Sequence, residues 1–125
     1  MRQAVSSASA PQAIGPYSQA ISSNGFIFIS GQIPIHQETG LVADGGIEAQ
    51  THQVMKNLTA ILYAAGSGPD KVVKTTVFLS NLDDFPGFNR IYEEYFGKVK
   101  PARATVQVSR LPKEVLLEIE AIAIA

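Results

Sequence analysis

The chain contains no cysteine. That excludes a disulfide framework, a thiolate zinc site and a cysteine nucleophile. Histidine is scarce. His36 and His52 stand far apart with no ligand-spaced partner, so both are read as surface residues, His36 in a hairpin loop and His52 on a helix. No metal site and no Ser-His-Asp arrangement is expected from them. Charge of one sign is also missing: ten Lys and Arg face eleven Asp and Glu, a net charge of −1. Without a basic stripe, binding of nucleic acid through phosphate neutralisation is not expected. No apolar run approaches the roughly 20 residues needed to span a bilayer. The segment Met1–Ser7 lacks the apolar core of a signal peptide. These absences point to a soluble, cytoplasmic protein without a membrane partner. With no linker, repeat or low-complexity stretch, residues 1–125 are read as a single domain.

What is present is apolar and periodic. Hydrophobic residues make up 46% of the chain, enough for a real core and too many for disorder. Residues 1–16 read as an irregular lead-in. Tyr17 to Ser22 and Phe26 to Ser30 read as strands joined by Asn24-Gly25, a type I′ turn signal. Ile33 to His36, with Thr39-Gly40, reads as a further turn and short edge segment. Ile47, Thr51, Val54, Met55, Leu58, Ile61, Leu62 and Ala65 recur at helical spacing, with Asp44 as N-cap and Gly66 just past the end. Lys71 to Leu79 reads as a strand. A second helix starts near Asp83 or Asp84, with Pro86 in its first turn and a stripe of Phe85, Phe88, Ile91, Tyr92, Tyr95 and Phe96. Strands from Arg103 to Val108 and from Val115 to Ile124 complete the chain.

This order implies a mixed sheet with two helices on one face, an α+β sandwich with parallel neighbours at the strand-helix-strand units. The final strand is apolar on both faces. Two helices cover only one of them, so the open face is expected to be covered by another subunit.

Charge inside these last strands is the feature that needs explaining. Arg103, Thr105 and Gln107 share one face of their strand; Glu118 and Glu120 share one face of theirs. Charges in segments that read as buried are costly unless paired or used. Two readings stand: a buried salt bridge, or a site in which arginine binds a carboxylate in bidentate fashion and a desolvated glutamate moves a proton. Ser30-Gly31 ends an apolar strand and could bring backbone close to a ligand, or simply end the strand. Tyr17 could present a phenol to a pocket or plug one. Asn89 lies just off the apolar stripe of the second helix. Gly66-Ser67-Gly68 is too short and wrongly placed for a phosphate loop.

Four segments then resemble a known family: Ile14–Ala20 (Ile-Gly-Pro-Tyr-Ser-Gln-Ala), Ser30–Pro34 (Ser-Gly-Gln-Ile-Pro), Lys74–Leu79 (Lys-Thr-Thr-Val-Phe-Leu), and the run Pro101-Ala-Arg, Arg110-Leu-Pro-Lys, Leu117-Glu-Ile-Glu. In this order they are similar to the RidA/YjgF family of imine deaminases. The resemblance implies a chorismate-mutase-like fold and a homotrimer with its sheets facing the trimer centre and sites in the clefts between subunits. It implies hydrolysis of enamines and imines such as 2-aminoacrylate, as in 2-iminobutanoate/2-iminopropanoate deaminase, to a 2-keto acid and ammonia. The deaminase itself uses no cofactor; its substrates arise from pyridoxal-phosphate dehydratases. By the same resemblance Arg103 is the carboxylate-binding arginine, Glu118 positions water, and Glu120 is a second carboxylate. Tyr17, Ser30, Gly31 and Asn89 line the cleft, with Tyr17 assisting proton transfer. Many relatives carry cysteine where this chain has Thr105, which excludes a thiol switch there. Some relatives are described as ribonucleases or translation inhibitors, and others as regulators that bind a small 2-keto acid.

Overall fold

In a computed structural model covering residues 1–125, six strands form one sheet: β1 (Arg2–Val5), β2 (Ala20–Ser23), β3 (Phe26–Gln32), β4 (Val72–Leu79), β5 (Ala102–Gln107) and β6 (Leu117–Ile124). Two helices, α1 (Ile47–Ala64) and α2 (Phe85–Phe96), interrupt the strands. The spatial order is β1-β2-β3-β6-β4-β5. All pairings are antiparallel except β4–β5. The α+β architecture is the expected one. Of the two strand-helix-strand units, only β4-α2-β5 joins direct neighbours. Between β3 and β4 the last strand inserts, so α1 crosses over a gap that β6 fills.

Local chemistry explains most boundaries. Asn24 and Gly25 both have positive φ, 51° and 82°, as a type I′ turn requires, and they place Ser23 opposite Phe26. Gly66 (φ 77°) follows α1. Its N–H donates to Tyr63 O and that of Ser67 to Leu62 O, closing the helix in a Schellman motif. Ile27, Ile29, Val54, Leu58, Ile61, Val77, Leu79, Phe88, Leu117 and Ile119 form the core between sheet and helices.

Four expectations are corrected. The lead-in is not wholly irregular: Arg2–Val5 pairs with β2, because an exposed edge accepts a short polar strand without needing apolar alternation. Tyr17 precedes β2 rather than starting it, in a bend where its N–H donates to Gly15 O. Asp44 does not cap α1; Gly46 occupies the N-cap without a side-chain bond. The strand carrying Arg103 is not buried: β5 is the sheet edge and is exposed along most of its length. Alternating small and polar residues suit an edge as well as an interior position.

One face of the sheet carries both helices. Across the other lie Phe26, Phe28, Phe78, Val106, Ile122 and Ile124, with Phe26, Phe28, Val106 and Ile124 all more than two-fifths exposed. Within the single chain nothing covers them, as the two-faced apolar pattern of β6 implied.

Candidate functional site

The register of the sheet decides where the polar residues go. Arg103 pairs with Thr75, and Thr105 with Val77; Thr75 and Val77 are fully buried under the helices. Arg103 and Thr105 therefore point to the helix side. Glu118 pairs with Phe78, and Glu120 with Thr76, on the open side. The arginine and the glutamates of one chain thus lie on opposite faces, with β4 between their strands. They make no intrachain salt bridge, which removes the structural-bridge reading within one subunit.

On the helix side, Nη1 of Arg103 donates to Asn89 Oδ1 at 2.8 Å. Its guanidinium carbon lies 4.7 Å from the Tyr92 ring centroid, 5.3 Å from Phe85 and 5.9 Å from Phe88. Three residues that read as one buried stripe of α2 thereby also form an aromatic wall for a cation. A cleft beside it, bounded by Glu93, Phe96, Lys100 and Pro101, opens to solvent. Burial pushes the Tyr92 hydroxyl up, and its bond to Thr75 and the charge of Arg103 pull the other way. Thr105 Oγ1 is buried and without a partner.

On the open side, β3 bulges. Ile29 pairs with Ala121 but Gln32 with Ile119, so Ser30 and Gly31 together face Glu120. Ser30 Oγ donates to Ser18 O at 2.6 Å and its N–H to Gln19 O at 3.0 Å. Gly31 gives way to Glu118: a Cβ added there would collide with that carboxylate. The glycine leaves room for that carboxylate, and its φ is not in the left-handed region. Burial pushes the half-buried Glu118 carboxyl above the usual carboxylate range, and the charge of Glu120 adds to the rise. Next to the bulge is a hollow of about 350 Å³ lined by Ile14, Tyr17, Ser30, Gly31, Gln32 and Lys113 among others. Lys113 and Glu114 both adopt positive φ (55°), a sparsely populated conformation for such residues.

The structure thus brings Tyr17, Ser30, Gly31 and Glu118 to one region and Arg103, Asn89 and Thr105 to another. Glu120 faces a shallow hollow with Phe28, Lys74 and Thr76. Motif reading passed over Lys113, although it closes the Arg-Leu-Pro-Lys run. It also passed over two buried polar residues of α1 that set the loops around Glu118. Asn57 Nδ2 donates to Ile33 O and Ile35 O, and Gln50 Oε1 accepts from Leu116 N. Their signal was polarity within an otherwise apolar helix face. His52 bonds Tyr95 (3.2 Å) on the outer helical surface, away from both regions. No group of three His, Asp or Glu converges as a metal-ligand set.

Comparison with known proteins matches residues 7–125 to the family model described as Endoribonuclease L-PSP. The chain is 54% identical over 123 residues to RutC family protein PH0854 of Pyrococcus horikoshii, covering 98% of each. It is 48% identical over 124 residues to human 2-iminobutanoate/2-iminopropanoate deaminase, covering 99% of this chain and 90% of that one. Among solved structures, E. coli TdcF with bound serine superposes with a TM-score of 0.93 at 40% identity, covering 98% of both chains.

Proposed function

The chain belongs to the Endoribonuclease L-PSP family, the RidA/YjgF family, and from that premise we propose that it is an enamine/imine deaminase. Its substrates are 2-imino acids, formed from enamines such as 2-aminoacrylate, and its products are 2-keto acids and ammonia. The observation that carries this reading is Arg103. A guanidinium is set against three aromatic rings and anchored by Asn89, at the mouth of an open cleft. This is a preformed fork for a small carboxylate. An identity of 48% with human 2-iminobutanoate/2-iminopropanoate deaminase along almost the whole chain supports the same substrate class.

The chemistry follows from the groups available. Arg103 holds the substrate carboxylate and so fixes the adjacent imine carbon. Backbone at Ser30-Gly31 orients the imine. Glu118, held above its ordinary pKa by burial, takes a proton from water as the water oxygen bonds to that carbon. That proton passes to the nitrogen, with Tyr17 assisting; the nitrogen then takes the proton of the newly formed hydroxyl as the C–N bond breaks, and ammonia leaves. The carbon is left as a ketone. Imines hydrolyse unaided, so positioning and one proton-transfer group, worth about 10²- to 10⁴-fold, suffice.

Arg103 and Glu118 of one chain lie on opposite faces, so a complete site takes them from different copies. We place it where the exposed edge β5 of one subunit meets the Gly31–Glu118 region of the next. A cytoplasmic homotrimer with its open sheet faces inward covers the apolar residues on that face. A pyridoxal-phosphate dehydratase is the class of enzyme that supplies the substrate.

The test is a coupled assay. Serine dehydratase generates 2-aminoacrylate and pyruvate release is followed with wild type and Arg103→Ala. Acceleration by wild type alone is expected. Equal acceleration by both would overturn the role of Arg103. Ligand binding by wild type without acceleration would favour a 2-keto acid-binding regulator. The nuclease reading has little support in a chain of net charge −1, and RNA cleavage that survives rigorous purification would revive it.

A further inference from the structure

Three residues from two other elements surround Arg103. Its neighbour in the parallel ladder is Thr75 of β4. Thr75 Oγ1 and Tyr92 OH lie 2.8 Å apart. The Tyr92 ring is the nearest of the three aromatic rings to the guanidinium. Asn89, one turn earlier on α2, accepts a hydrogen bond from Nη1. Both hydroxyls are buried, Thr75 at 0% and Tyr92 at 6% exposure. A valine and a phenylalanine would fill the same space without desolvating two polar groups, so a purely structural core has no need of them here.

We infer that Tyr92, locked by Thr75, is a positioning residue that fixes the arginine fork for the substrate carboxylate. This rests on the reading of Arg103 as the carboxylate anchor. Threonine is restricted about χ1 by its branched Cβ, so its hydroxyl is a firm reference point on the central part of the sheet. The Tyr92 ring is wedged between Phe88 and Phe96, with centroids 5.3 and 5.0 Å away. That packing holds the ring on two sides, the hydroxyl bond to Thr75 ties its far end to the sheet, and the ring carries the guanidinium. Arginine on an exposed edge strand otherwise samples many rotamers and loses that freedom on binding. The clamp removes the loss in advance.

The test measures binding of 2-oxobutanoate to the full-length oligomer by calorimetry, beside imine turnover, in Tyr92→Phe, Thr75→Val, their double variant and Thr75→Ser. Each single variant should raise the dissociation constant and KM about fivefold, the ratio corresponding to ordering one rotamer-rich side chain on binding. Turnover at saturation should fall by less than KM rises. The double variant should bind no worse than the singles, because one lock is broken in all three. Thr75→Ser, which keeps the hydroxyl, should restore wild-type affinity. If a single variant is too unstable to measure, the double variant carries the test, since it leaves neither hydroxyl unpaired. Wild-type affinity in Tyr92→Phe or in the double variant would overturn the inference alone. A wild type that neither binds nor turns over would remove the Arg103 reading and this inference with it.

Discussion

Glu118→Gln should inactivate the protein and stabilise it at the same time. The carboxylate is half-buried on the open sheet face, pressed against Gly31, and takes part in no salt bridge. Within one chain the charge that acts on it is that of Glu120, two residues on along β6 and exposed. Two strand residues span about 6.8 Å, so the repulsion is about 0.6 kcal/mol at the dielectric of water and about 2.4 kcal/mol at an effective value of 20. Exposure of Glu120 favours the lower figure. Glutamine keeps the shape and removes this repulsion together with the desolvation of the ion. A gain of about 0.6 to 1 kcal/mol corresponds to a Tm rise of about 2 to 4 °C for a chain of this size. The sign with pH is definite. The folded-state pKa is raised, so the folded protein holds this proton more tightly than the unfolded chain. The wild type therefore has no deficit below about pH 4, and acquires one as pH rises through the raised pKa. Activity runs the other way. The ionised form accepts the proton, so kcat/KM should fall on the acid side at a pH above the ordinary glutamate range. Glutamine should lower the rate by about 10²- to 10⁴-fold at neutral pH. Differential scanning calorimetry from pH 4 to 8 at fixed protein concentration reads the stability in an Arg103→Ala background, where no neighbouring guanidinium offsets the Glu118 charge; the pyruvate-coupled assay reads the activity with Arg103 in place. A Glu118→Gln variant less stable than its parent at pH 8, or one with undiminished turnover, would refute the argument.

Other outcomes follow from the same geometry. Gly31→Ala puts a methyl group where the Glu118 carboxylate lies; the end of that flexible side chain swings aside, so stability should change little while turnover is lost, and full activity would show that Glu118 can work elsewhere. Phe28→Glu buries a charge if the open face is an interface, so light scattering should report monomers with no activity; an intact trimer would place the interface on another surface. Arg103→Lys keeps the charge but loses the planar fork and its stacking. It should raise KM at least tenfold, about 1.4 kcal/mol, while the melting temperature stays near wild type; wild-type KM would mean that charge alone is read.

Much of the fold was legible because its signals are local. The Asn24-Gly25 turn, the stripe of α1, Gly66 at its end and the apolar run of β6 each depend on spacing over a few residues, where backbone sterics and burial of one face leave few alternatives. The family motifs were likewise readable as strings. The strand at Arg2–Val5 was not, because its partner lies some twenty residues away and only edge pairing makes it a strand. Nor was the exposure of β5, since Ala-Arg-Ala-Thr-Val-Gln has no pattern that distinguishes an edge from an interior position.

The site divides in the same way. Sequence alone singled out the candidate residues: Arg103, Glu118, Tyr17 and Gly31 are named by motif, and the first two also by the oddity of charge in apolar strands. Tertiary structure alone decided how they relate. Whether Arg103 and Glu118 share a face depends on the register of two separate pairings, β5 on β4 and β6 on β4. A shift of one residue in either would flip a side chain through the sheet. That parity is set by core packing summed over distant segments, Thr75 and Val77 under the helices against Phe78 and Thr76 away from them. The alternation within any one strand gives two faces and leaves open which of them the helices cover.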